Sequence, residues 1–124
     1  MTAAQLRDIL AVLLAPVLGT YTTSNGTGVE LPAIRLGQPP RHYLARGLEC
    51  RVRVVPEVQQ LPAHGRGALL ESHSVRLVQH GGREEDLHAA VRRISGRWPD
   101  VQFREIPANE ELGILAQHVV TIPA

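Results

Sequence analysis

A chain of 124 residues with 44% hydrophobic content is long enough for one domain, residues 1–124, and too apolar for a disordered one. Its formal charge of +1 argues against a dedicated duplex-DNA binder. Aromatics are only 3% (Tyr21, Tyr43, Trp98 and Phe103), too few for a base-stacking platform or a sugar cradle, so Leu, Val, Ile and Ala must build the core.

The chain opens on a helix over residues 3–15. Leu6, Ile9, Leu10, Leu13 and Leu14 fall at i, i+3, i+4, i+7 and i+8, one apolar stripe. Thr2 is its predicted N-cap, Gln5 completes a capping box, and Pro16 ends it. A solitary helix this short is marginal in water, so the stripe must dock on a sheet. Residues 22–28 (TTSNGTG) are turn chemistry, with Asn25-Gly26 as a hairpin signal between Tyr21 and Val29. A strand is predicted over 29–36, and Pro32 suits it to a sheet edge. Residues 48–55 alternate, with Leu48, Cys50, Val52 and Val54 opposite Glu49, Arg51 and Arg53. Residues 71–79 alternate again, with His73, Val75 and Leu77 opposite Ser72, Ser74 and Arg76, and the two runs are expected to pair antiparallel.

A second helix follows Gly81-Gly82. Glu84, Glu85 and Asp86 lie in its first turn, and Arg92, Arg93 and Arg97 lie near its end, both favourable to the helix dipole. Leu87, Val91, Ile94 and Trp98 share a face, with Gly96 expected at C′ and Pro99 beyond. Strands are predicted at 101–106 and 114–122, separated by a turn over 108–113. The fold class is therefore α+β: a mainly antiparallel sheet, two helices packed on one face, and a long projecting hairpin or loop. Leu10, Leu13, Val91 and Ile94 are expected in the core with Val52 and Val75.

Chemistry-bearing patterns are sparse. The six histidines form no HxH, HxxxH or HExxH spacing, so neither metal nor cofactor is expected. His73 reads as a core or interface histidine. The carboxylates at 84–86 and 110–111 have no base or nucleophile that the sequence places beside them, so no enzyme activity is expected. Cys50 reads as a small buried hydrophobe. No signal peptide and no membrane span are expected: Arg7 and Asp8 interrupt the apolar run 6–18.

Charge is uneven along the chain. Residues 35–53 carry Arg35, Arg41, Arg46, Arg51 and Arg53 against Glu49 alone, whereas residues 84–124 carry more acids than arginines. Two patches of opposite sign suit head-to-tail self-association, and ordinary solvated surface accounts for them equally well. All basic residues are arginine, which a GC-rich genome or bidentate carboxylate pairing would each explain.

Residues 56–70 form a long connection punctuated by Pro and Gly yet rich in apolar residues. Val58, Leu61, Arg66, Leu69 and Leu70 are the candidate subunit-interface residues, as an arm on a neighbouring subunit or as a long hairpin extending the flanking strands.

The order of parts resembles that of the tail terminator and tail-completion proteins of tailed bacteriophages. The matching stretches are LRDILAVLLAPVL, VELPAIRLGQPP, the pair LECRVRVV and ESHSVRLVQH, the helix EEDLHAAVRRISGRWP, and the pair VQFREIP and QHVVTIPA. The resemblance covers nearly the whole chain and departs in the proline-rich stretch 32–40. It implies a virion structural protein, assembled in the host cytoplasm, that forms a hexameric ring on the tail tube. Its partners would be further copies of itself, the tube and neck proteins, with DNA passing through the lumen unread. Another head–tail connector, a ferredoxin-like ligand-binding or regulatory module, and a small enzyme are the alternatives.

Overall fold

The computed structural model describes residues 2–23, 28–37, 39, 42–53, 72–81 and 83–123. Helix α1 (Ala3–Leu13) begins with the predicted capping box. The Gln5 amide donates to the Thr2 hydroxyl at 3.1 Å, and the Thr2 amide donates to the Gln5 side chain at 2.8 Å. The helix ends two residues short of the predicted 15. Residues just before Pro16 are pushed out of the helical region, and Pro16 itself has no N–H to give. The Leu14 and Leu18 amides instead donate to Leu10 and Leu14 at 2.8 and 2.9 Å, which turns the chain toward the sheet.

The sheet contains β1 (Thr20–Thr22), β2 (Leu31–Pro32), β3 (Ile34–Leu36), β4 (Leu44–Val52), β5 (Ser72–His80), β6 (Phe103–Ile106) and β7 (Ala116–Pro123). Its order is β2-β1-β4-β5-β7-β6, with β3 also on β4. Every pairing is antiparallel except β3 with β4. Helix α2 (Glu84–Arg97) links β5 to β6, and β7 returns to fill the place between them.

The predicted 29–36 strand is two strands with different partners. Pro32 cannot donate, and β2 is the sheet edge, as its proline requires. At Ala33 the chain changes neighbour: its amide donates to Gly19 at 3.0 Å and its carbonyl accepts from Cys50 at 2.8 Å. β1 covers only the Leu44–Arg46 end of the β4 edge. β2 runs parallel to β4 because two antiparallel steps separate them, so β3, continuing the same way, meets the vacant Cys50–Val52 end in parallel. Residues 56–70, including Val58, Leu61, Arg66, Leu69 and Leu70 and the expected projecting hairpin, lie outside the described residues.

Register assigns the faces. Cys50 opposes Leu77, Val52 opposes Val75, Val75 opposes Val120, and His73 opposes Ile122. Cys50, Val52, Val75, Leu77, Val120 and Ile122 face both helices and form one buried cluster with Leu6, Leu10, Leu14, Leu87, Ala90 and Ile94, and His73 is buried on the same side. Leu13 and Val91, expected in the core, are only partly buried at its margin, as is Trp98. Gly96 lies inside α2 rather than at C′, because the helix runs on to Arg97 and its last bond comes from the Trp98 amide to Ile94. The predicted turn over 108–113 contains a 3-10 turn, Glu110–Leu112, capped by Asn109.

Candidate functional site

Among the described residues no helix lies over the opposite face of the sheet, and there a charged group is buried. Glu49, Val78, Gln117 and Ile106 form one row across β4, β5, β7 and β6. Glu49 and Val78 are fully inaccessible to solvent. Part of the cover comes from the β6–β7 connection. Gln117 donates through Nε2 to the Pro107 carbonyl at 2.9 Å, Asn109 bridges Ile114, and the Leu115 amide donates to Gln79 at 2.9 Å.

Glu49 collects four partners from separate parts of the chain. Oε1 accepts from Arg51 Nε at 2.8 Å and from His80 Nε2 at 2.7 Å. Oε2 accepts from Arg35 Nε at 3.0 Å and from the Tyr43 hydroxyl. An ionised carboxylate only accepts, so His80 Nε2 carries the proton. Arg35 also donates to the Gly37 carbonyl, and its guanidinium lies 5.5 Å from the Tyr43 ring centre. Tyr21, directly across from Ala45, places its ring 4.9 Å from that of Tyr43. The group thereby ties β3, β4, β5 and the approach to β4 into one unit.

Burial pushes the Glu49 carboxyl up, but hydrogen bonds from His80 and Tyr43 and the charge of Arg51 outweigh it and hold the group at about 2. The Tyr43 hydroxyl is pushed well above the ordinary phenol range, first by burial and then by its bond to Glu49. Burial likewise pushes the Cys50 thiol up to about 12, with the Glu49 charge adding to the effect. A carboxylate so fully satisfied holds its donors in place and has little tendency to move a proton. Among the described residues, no three His, Cys, Asp or Glu side chains are grouped to hold a metal ion, and no helix is long and apolar enough to cross a membrane.

Beside this group is a cavity of ≈ 340 Å³, lined by Tyr43, Leu44, Arg51, His80, Leu112 and Ile114 among others. Its two leucines are open to solvent: Leu44 is 43% exposed and Leu112 is 67%. Leu115 is 54% exposed, and Leu31, opposite Tyr21, is 44%. These apolar side chains come from β2, β4 and the β6–β7 connection.

The sequence counted Glu49 as one acid among five arginines and assigned it to a solvated strand face. That imbalance was the available signal: a lone carboxylate flanked by arginines on a strand is placed to pair with several of them. Tyr43, Arg35 and His80 could not be assigned to it without the register. His73 is buried on the helix-facing side, as expected, and His118 meets Phe103 edge-on at 6.3 Å. Comparison with protein-family models, with curated proteins and with solved structures gave no match.

Proposed function

We propose that the chain is a structural protein of a phage virion that forms a ring, of about six copies, closing a tail tube and joining it to the neck. The observation that supports this reading best is the pair of exposed apolar side chains, Leu44 and Leu112, that meet at one cavity beside the Glu49 group. Contiguous apolar surface of this kind marks protein–protein contact. The rigid, fully satisfied Glu49 group behind it suits a surface that must keep its shape and not turn over a substrate. A ring needs a heterologous contact, one patch meeting a different one on the next copy. The uneven charge along the chain and the apolar stretch 56–70 supply candidates for the two patches. In this reading the protein has no cofactor and no catalytic group.

The test is mass in solution by light scattering, with electron microscopy of the same sample. Closed rings of about six copies are expected. A protein that stays strictly monomeric at high concentration, with or without a tail-tube partner, would refute the reading.

A further inference from the structure

We infer that the sheet face turned away from the helices binds the phosphate backbone of a nucleic-acid duplex, through a row of arginines that crosses the sheet. The inference goes beyond the ring-forming reading and does not depend on it.

Register builds the row. Arg35 on β3 is opposite Arg51 on β4, and Arg51 is opposite Arg76 on β5. Arg76 is opposite Val119 on β7, and Val119 is opposite Arg104 on β6. The residues that alternate with these arginines, such as Cys50, Val75 and Phe103, pack on the helix-side core. The arginines therefore leave the sheet on its other face. Arg53 is one step along from Arg51, and its amide continues the ladder to Ser74. Neighbouring strands are roughly 4.8 Å apart, so the row from β3 to β6 is roughly 20 Å long.

The row is positive in sum. Arg35 and Arg51 share Glu49, which leaves one positive charge between them. Arg53, Arg76 and Arg104 are exposed, and none is in an ion pair with another described residue. Glu110 and Glu111 are in the 3-10 turn at the His80 end, on the far side of the Glu49 row, and two positive charges remain when both are counted in. The residues outside the description carry Glu57 and Glu71 against Arg41 and Arg66, so they leave the balance unchanged whatever their course. The chain's formal charge of +1 conceals this face, because acids such as Glu84, Glu85 and Asp86 are on α2.

The side chains select the ligand. A guanidinium group matches phosphate oxygens two at a time. A protein interface has an apolar centre, but the residues among these arginines are Ser74, Thr121 and one half-buried apolar residue, Val119. A surface this polar and this positive suits nucleic acid. No aromatic residue stands in the row or beside it at Ser74 and Thr121, so bases have no stacking partner there. A duplex, which turns its phosphates outward, fits better than a single strand. It carries one charge per about 1.7 Å of axis, enough to meet every free arginine along the row. With no base edge read, unrelated sequences should bind alike.

Fluorescence anisotropy of a labelled DNA duplex of about 20 base pairs, titrated with the full chain between about 50 and 200 mM salt, tests this. Affinity should fall with salt at a log–log slope of roughly −3. Arg76→Ala with Arg104→Ala should flatten that slope by roughly 2 and weaken binding roughly 10-fold or more. Arg92→Ala with Arg97→Ala removes the same charge from exposed positions on α2 and should leave the slope unchanged. Melting checks that each variant is folded. If the sheet pair is not, Arg104→Ala alone, on the edge strand, should flatten the slope by roughly 1. A parent that binds no duplex at the lowest salt overturns the inference, as do two double variants that bind alike. If the sheet variant loses self-association while the parent binds no duplex, the row meets an acidic protein surface instead, which also overturns it. A monomeric parent with the expected slope upholds the inference and refutes the ring, and a ring-forming parent that binds no duplex does the reverse.

Discussion

At the scale of single residues, Glu49 and Gly19 show how one atom's surroundings set a cost. Four donors from three strands and a loop end converge on the Glu49 carboxylate. Replacing it with Ala leaves Arg35 and Arg51 facing each other without a counter-charge, and should cost about 3 kcal/mol, read as a lower urea midpoint. Glu49→Gln keeps the shape but turns an amide N–H toward donors, and should cost about 2 kcal/mol. The pH dependence separates charge from shape. The folded value of about 2 lies below the ordinary 4.5, so the unfolded chain binds the proton first as pH falls. The stabilisation is complete above about 4.5 and disappears as pH drops toward 2. Urea midpoints measured from pH 6 to pH 2 should therefore fall more steeply for the parent than for Glu49→Gln, and parallel curves would exclude the charge as the cause. Gly19 is a steric case. A Cβ there would lie 1.9 Å from the Arg46 carbonyl oxygen, where the chain leaving α1 passes against β4 at Gly47, itself at φ +77. Gly19→Ala should cost at least about 2 kcal/mol, because backbone must move to admit the methyl group. Gly96 meets nothing within 4 Å and lies in helix, so Gly96→Ala should stabilise by about 0.5 kcal/mol in the same melts.

At the scale of elements, α2 presents a graded stripe. Leu87, Ala90 and Ile94 are buried, and Val91 and Trp98 lie at the margin. Ile94→Ala should cost about 3 kcal/mol and Val91→Ala about 1, since only the first leaves a cavity closed on all sides. Equal losses in chemical denaturation would mean that the helix is rotated from its described position. What the sequence made legible follows the same division. Period 3.6 exposed both helices, and period 2 in β4 and β5 assigned Cys50, Val52, Val75 and Leu77 to the helix side. The split at Ala33 was not legible, because it depends on β1 vacating half of the β4 edge, a fact about a partner strand and not about residues 29–36. The Glu49 group was hidden for the same reason. Alternation marks the second face of a strand as polar, and the fact that the 107–115 connection covers part of it appears only in the fold. The candidate interface residues at 58–70 lie outside the described residues.

At the scale of the whole molecule, the sheet is strong in the middle and brief at its margins. β4, β5 and β7 share long ladders, from Gly47–His80 to Val52–Val75 and from Ser72–Pro123 to Gln79–Ala116. β2 pairs at only two positions, and β1 at three on β4. Local opening free energy rises with buried contacts and paired neighbours, so amide exchange should be slowest at 48–52, 75–79 and 118–122 and fast at 31–32. The cavity residues occupy the weak end of this scale. The amides of Leu112 and Gly113 are bonded only within the exposed 3-10 turn, to Asn109 at 3.2 Å and Glu110 at 3.1 Å, and in an isolated copy they should exchange rapidly. Association through this surface, as the ring-forming reading requires, would cover them. Their protection should then rise with protein concentration, together with that of 44–46, while 31–32 and the central ladders stay unchanged. If 112–115 are equally protected at every concentration, their cover comes from within the copy. Uniform protection across the whole chain on concentrating would instead indicate non-specific association, in which no particular surface is chosen.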